Sequence, residues 1–294
     1  MWGGGYNVSR EVLLAIRQGN EKRVEHLVEG LVTCLRTQRS PQLDAQGARG
    51  GDLAKASRGS DLAKAGSWGA DVSLGASLWD LACAVQRLSR LPLGEQRKPF
   101  WDEVTVLFAA NSAKLERREL AIVCNAFAAG APDRLSGRAA LGNLFAQRAA
   151  QLAPDLSARD LTMILHALAR GVNSVEMHDD SLQSTSYHSR GRANRRRIDG
   201  EALRSLAEAA RRVRLQKERP QQTALLLNSF AKLRYARDAA LFGKLFGLAK
   251  KTLPAWDSQA LALLCNAFAS VEAEARARIR PGGWEAIAER CSEV

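Results

Sequence analysis

Apolar residues along most of this chain fall three and four positions apart, with polar residues between them. That spacing is helical. No convincing run alternates apolar and polar residues, so little or no sheet is expected. The pattern also copies itself: IVCNAFAAG at 122–130, LLLNSFAKL at 225–233 and LLCNAFASV at 263–271 are near duplicates. Set in register as nine-residue windows, they extend to five: LWDLACAVQ (78–86), LAIVCNAFA (120–128), LTMILHALA (161–169), TALLLNSFA (223–231) and LALLCNAFA (261–269). Four windows end in Ala (Ala128, Ala169, Ala231, Ala269), beside a large apolar residue and a small one.

The sixth position of the window is Cys83, Asn125, His166, Asn228 and Asn266, at intervals of 42, 41, 62 and 38. The long interval contains a polar insertion at 174–197, and removing its 24 residues restores a spacing of 38. A period near 40 suits a unit of two helices and a turn. A second half-repeat supports this: LFAQRAAQL (144–152) and LFGLAKKTL (245–253) each precede a window, each followed by Pro (Pro154, Pro254) and then a capping residue, Ser157 or Asp257/Ser258. Segments 104–113 and 203–213 occupy the same place in other units. One such hairpin cannot bury its apolar stripe alone, so successive hairpins must stack. The expected fold is all-α: a helical-hairpin repeat solenoid of about five units of roughly 38–42 residues, with two polar insertions. The expected division is a degenerate N-terminal hairpin at 1–38, a Gly/Ser/Ala-rich insertion at 39–74, and repeats over 75–294 that carry a basic loop at 174–197. The first insertion holds a tandem duplication, DLAKASRGS then DLAKAGSWG, at 52–60 and 61–69, whose composition favours a loop.

Composition sharpens this picture. Scarce Pro (8 residues) and only 6% aromatics favour helix over strand. No stretch is long and apolar enough to predict a membrane span. The first residues lack the apolar core of a secretory signal, and Glu11, Glu21, Glu25 and Glu29 make a poor transit peptide. Five cysteines (Cys34, Cys83, Cys124, Cys265, Cys291) with no CxxC pair read as buried free thiols, not as a disulfide framework or zinc site.

The net charge of +12 points to a polyanionic partner, and it is concentrated. Between positions 190 and 219 lie Arg190, Arg192, Arg195, Arg196, Arg197, Arg204, Arg211, Arg212, Arg214, Lys217 and Arg219, eleven cations against four acids. Forked guanidinium groups suit phosphate oxygens, and the reading is an RNA contact; a solvated helix face beside a loop is the bland alternative, and an acidic protein surface would look the same. Lys232 and Arg234, with Lys244, Lys250 and Lys251, form a second, weaker basic group. The ladder Asn125, His166, Asn228 and Asn266 reads either as a row of base-edge donors and acceptors or as hydrogen bonds between helices. The small and apolar neighbours favour the structural role. His178 and His188, with Asp179 and Asp180, are expected in a solvated loop and not at a metal. His26 is isolated on a charged helix. Trp79, Trp101 and Trp256 are expected to pack between repeats and not to stack on bases.

The copies LLLNSFAKL, IVCNAFAAG and LLCNAFASV, each with its preceding LFxxLA-type helix, resemble the octotricopeptide and heptatricopeptide repeats of organellar RNA-associated proteins, over about 74–271. The resemblance implies a right-handed solenoid, residence in a mitochondrion (or, alternatively, a plastid), and work on RNA: processing, translation, or a place in an unusual mitochondrial ribosome. Two departures qualify it. The repeats are irregular, which argues against a base-by-base code. No RAP domain, the usual companion of such repeats, is recognisable in 272–294. The expectation is therefore a non-catalytic protein contacting rRNA and neighbouring ribosomal proteins, with no cofactor, metal, membrane or small-molecule substrate. A protein-binding scaffold, or an organellar RNA processing or translation factor, is the alternative. No nucleophile–base pair, metal cluster or phosphate-binding Gly loop supports an enzyme.

Overall fold

The computed structural model describes residues 15, 22–24, 26–33, 77–93, 95, 97–136, 140–180, 198–213, 220–235, 238–270 and 283–293. Every regular element among these is helical, so the chain is all-α. Two compact units are delineated: Met1–Leu115 with Ala129–Ala131, and Glu116–Ala128 with Pro132–Val294. Among the described residues, no helix is long and apolar enough to cross a membrane.

In the first unit, residues 26–33 are helical and bury Leu27, Val28, Leu31 and Val32. Most of the expected hairpin at 1–38, and all of the insertion at 39–74, lie outside the described residues. Helices are numbered from Leu78. α1 (Leu78–Leu88) is capped by Ser77, whose hydroxyl accepts from the Asp80 N–H at 3.1 Å. Asp80 in its first turn and Arg87 in its last complement the helix dipole. α2 (Arg97–Ala110) buries Phe100, Trp101, Val104 and Phe108, with the Phe100 and Trp101 rings edge to face at 5.2 Å. The Arg97 guanidinium donates to the Gly130 carbonyl at 2.9 Å, and Trp101 lies so close to Gly130 that a Cβ there would collide with the indole.

The second unit holds most of the repeats. Its helices are α3 (Arg117–Gly130, whose last two residues belong to the first unit), α4 (Ala140–Gln151), α5 (Ala158–Asp180), α6 (Gly200–Arg212), α7 (Pro220–Lys232), α8 (Ala239–Thr252), α9 (Ser258–Ser270) and α10 (Gly283–Glu293). They pack as two rows. In one, α5 lies against α7 and α7 against α9; in the other, α4 touches α6, α6 touches α8, and α8 touches α10. The first row carries repeat windows; the second carries the LF half-repeats on α4 and α8, with α6 between them and α10 beyond. Contacts of α4 with α5 and of α7 with α8 join the rows.

The apolar stripe explains the packing. Phe127, Leu168, Phe230 and Phe268, the same position in four windows, are all fully buried. Phe127 meets Phe145 of α4 edge to face at 6.0 Å, and Phe268 meets Phe246 of α8 at 4.1 Å. The turn chemistry expected at the half-repeats is present. Ser157 caps α5 by accepting from the Asp160 N–H at 3.1 Å, and Asp257 caps α9 by accepting from Ala260 at 2.8 Å. The latter bond, then one from Gln221, holds the Asp257 carboxyl below its ordinary range. Pro254 sits in a 3-10 turn, Leu253–Ala255, that carries the chain from α8 to the α9 cap. A second 3-10 turn, Pro132–Leu135, wedges against α4 and α5, where Gly142 and Gly171 leave no room for a Cβ beside Leu135.

Two expectations are corrected. The insertion does not begin as a loop at 174: α5 runs on to Asp180, so His178, Asp179 and Asp180 are helical. After Gly171 no Gly or Pro interrupts VNSVEMHDD, and nothing there stops the helix. Trp79 is 40% exposed, whereas Trp101 and Trp256 are buried as expected. The chain's return after the insertion is fixed: the Asp199 N–H donates to Asn143 Oδ1 of α4 at 3.0 Å, Gln147 Nε2 donates to the Asp199 carboxylate at 3.4 Å, and Asp199 in turn caps α6.

Candidate nucleic-acid interface

The sixth window position does not behave uniformly, although the core position beside it does. Asn228 of α7 is 1% exposed, Asn125 and His166 are half-buried, and Asn266 of α9 is exposed. Asn266 Nδ2 donates to Asn228 Oδ1 at 2.7 Å, which joins two rungs directly across the α7–α9 contact. That bond is the structural role favoured for the ladder, realised at one pair. It satisfies the acceptor of a buried amide that would otherwise cost about 1–3 kcal/mol.

The other end of the row is electropositive. His166 on α5 is held below its ordinary pKa of 6.5, first by burial and then by Arg170 and Lys232. Arg170 is one turn beyond His166 on α5; Lys232 is one turn beyond Asn228 on α7 and half-buried. The imidazole is therefore neutral near pH 7, within the field of two cations. Arg170 did not figure among the expected contacts. Its signal was the i+4 step from His166, which Asn228 to Lys232 repeats. Together these groups offer amide and imidazole hydrogen bonding with two positive charges alongside.

The expected Arg surface is partly accounted for. Arg204 and Arg212 are exposed on α6, whose other face buries Leu203, Leu206, Ala207 and Ala210. Arg212 also lines an open depression of about 390 Å³ with Pro154, Ser157 and Val213. Arg211 is committed elsewhere: its Nη2 pairs with Asp238, the α8 cap, at 2.9 Å. That interaction uses the guanidinium to fasten α6 to α8, and so removes Arg211 from the list of free phosphate contacts. Asp238 was not foreseen, because 27 residues separate the partners. Arg234 is exposed and ends α7 in the left-handed region at φ 57°. Lys244, Lys250 and Lys251 are exposed on α8. Arg190, Arg192, Arg195, Arg196, Arg197, Arg214 and Lys217 lie outside the described residues, as does His188.

Cys124 is buried, and burial raises its thiol far above the usual range. The expectation of buried thiols fails for Cys83 and Cys265, which are half-buried, and for Cys291, which is exposed; Cys34 lies outside the described residues. Among the described residues no three His, Cys, Asp or Glu side chains gather as metal ligands. No family model and no curated protein matches the chain.

Proposed function

We propose that this chain is a non-catalytic RNA-associated helical-repeat protein, built as a solenoid of stacked hairpins and serving as a structural component of a mitochondrial ribosome. The reading takes the octotricopeptide-like windows as its repeat and arginine-rich surfaces as its rRNA contacts. The observation that carries it is the register of α5, α7 and α9. Three copies of one motif lie on successively packed helices, with Arg170 and Lys232 beside the ladder and Arg204 and Arg212 open on α6. A row of polar groups flanked by cations meets the two needs of an RNA surface, hydrogen bonding and phosphate neutralisation. A ribosomal role needs no sequence code, which accords with ladder positions that differ in burial from one helix to the next.

The test is binding to structured rRNA fragments across a salt series. Replacing Arg170, Arg204, Arg212 and Lys232 with Gln should weaken binding and reduce the slope of log K against log salt by up to about one per lost contact. Unchanged affinity and slope would remove RNA from this surface. Co-sedimentation with mitochondrial ribosomal particles then tests the ribosomal part: RNA binding without co-sedimentation would favour a processing or translation factor. A partner protein retained after ribonuclease treatment, with no RNA affinity, would favour a scaffold.

A further inference from the structure

The outermost described helix of the second unit, α10, rests on α8 and α9. Ile287 is its buried contact. Arg290 reaches the Trp256 carbonyl at 3.3 Å through Nη2 and the Glu293 carboxylate at 2.9 Å through Nη1. The buried Ile287 and the bond to the Trp256 carbonyl orient α10, and the residue one turn past Ile287 shares its face. That residue is Cys291. Opposite it, on α9, is Cys265, next to ladder residue Asn266. The helices that carry them are in contact, the two thiols are near enough for one to perturb the other, and neither is in a disulfide.

We propose that Cys265 and Cys291 form a reversible disulfide that fastens α10 to α9, made by exchange with a small-molecule disulfide such as oxidised glutathione. Exposed Cys291 reacts first. It loses its proton, and the thiolate attacks one sulfur of the glutathione disulfide and displaces a glutathione thiolate. Cys265 then loses its proton and attacks the Cys291 sulfur, displacing the second glutathione. The two protein thiols give up two electrons, the glutathione disulfide takes them, and the two protons end on the two released glutathione thiols. Burial, and after it the neighbouring Cys291, hold the Cys265 thiol above its ordinary range. This suits Cys265 to the second, intramolecular step, where proximity compensates for a small thiolate fraction. The other described thiol of this unit, Cys124, is buried and out of reach of a soluble oxidant. Closure would hold the open end of the ladder, at Asn266, against the last described helix.

The test uses the full chain in glutathione buffers of graded potential, quenched by alkylation and read by intact mass and peptide mapping. The expected result is a monomer lighter by two hydrogens, with one linked peptide pair carrying Cys265 and Cys291, restored by dithiothreitol. Cys265→Ser should stop the reaction at a glutathione adduct on Cys291, and Cys291→Ser should abolish the linked pair. Circular dichroism confirms that each variant is folded. In the unaltered chain, a persistent adduct on Cys291, a dimer linked through it, or no linked pair in the most oxidising buffer would each overturn the proposal.

Discussion

Asn228 and Asn266 hold the same place in two nearly identical segments, and the fold treats them in opposite ways. Asn228 is sealed between α7 and its neighbours; Asn266 is open and reaches inward to it. Two positions further along the same windows, Phe230 and Phe268 are both fully buried. The contrast separates two jobs written into one motif. The apolar stripe builds the stack and is buried at each of these copies. The polar position serves whatever lies beside that copy: an amide bond at α7–α9, and a cation-flanked imidazole on α5.

The sharpest way to break this division is to delete from the stripe. Phe268→Ala should cost about 3–5 kcal/mol in urea unfolding, because the ring fills a buried site against Phe246. If Asn266→Ala cost as much, the stripe and the ladder would not be distinct in kind. Next in size, Asn228→Ala should lose about 1–2 kcal/mol, and Asn266→Ala about half that or less, since its amide can turn to water. A double-mutant cycle should return a coupling of about 0.5–1.5 kcal/mol. Additivity would mean that the 2.7 Å bond contributes nothing to stability.

Smaller effects should appear at the basic end. Arg234 adopts a backbone conformation that glycine holds without cost, and Tyr235 N–H closes the turn onto the Phe230 carbonyl at 2.9 Å. Arg234→Gly should therefore raise the unfolding free energy by about 0.5 kcal/mol while weakening RNA binding. A loss on both counts would show that the side chain, and not the conformation, governs that position. Smallest is the titration of His166. Its folded pKa lies below 6.5, so the unfolded chain binds a proton that the native ring refuses. The associated stability is complete above pH 6.5 and drains as pH falls from there through the folded value. His166→Asn, the residue used at three other copies, should flatten that part of a stability profile between about pH 7.5 and about pH 5. A phosphate seated beside the ring would reverse the bias, so RNA affinity should rise over the same acid range in the unaltered chain and not in the variant.

Much of this was legible beforehand, for local reasons. Helix class followed from periodicity, and the α4–α5 and α8–α9 turns from Pro154 and Pro254 with Ser157 and Asp257 behind them. These are decided within a few residues. What escaped notice was decided across the fold. Arg211 reads as one more phosphate contact until α8 brings Asp238 to it. Cys265 and Cys291 read as unrelated thiols until α10 is laid on α9. The run of α5 to Asp180 departs from the loop expected there because polarity alone does not end a helix, and polar residues without Gly or Pro extend one readily. Trp79 occupies a window position that elsewhere holds Ala or Thr, so burial there was never dictated by the motif.

The clasp of Asn143 and Gln147 on Asp199 has a consequence for how the molecule tolerates change. The start of α6 takes its bearings from that fastening and not from the length of chain before it. The place where α6 begins is set by these bonds to α4, so a change in the number of residues between Asp180 and Ile198 need not move it. Loosening the clasp itself, in contrast, would cost α6 its tie to α4 and disturb the residue that caps it.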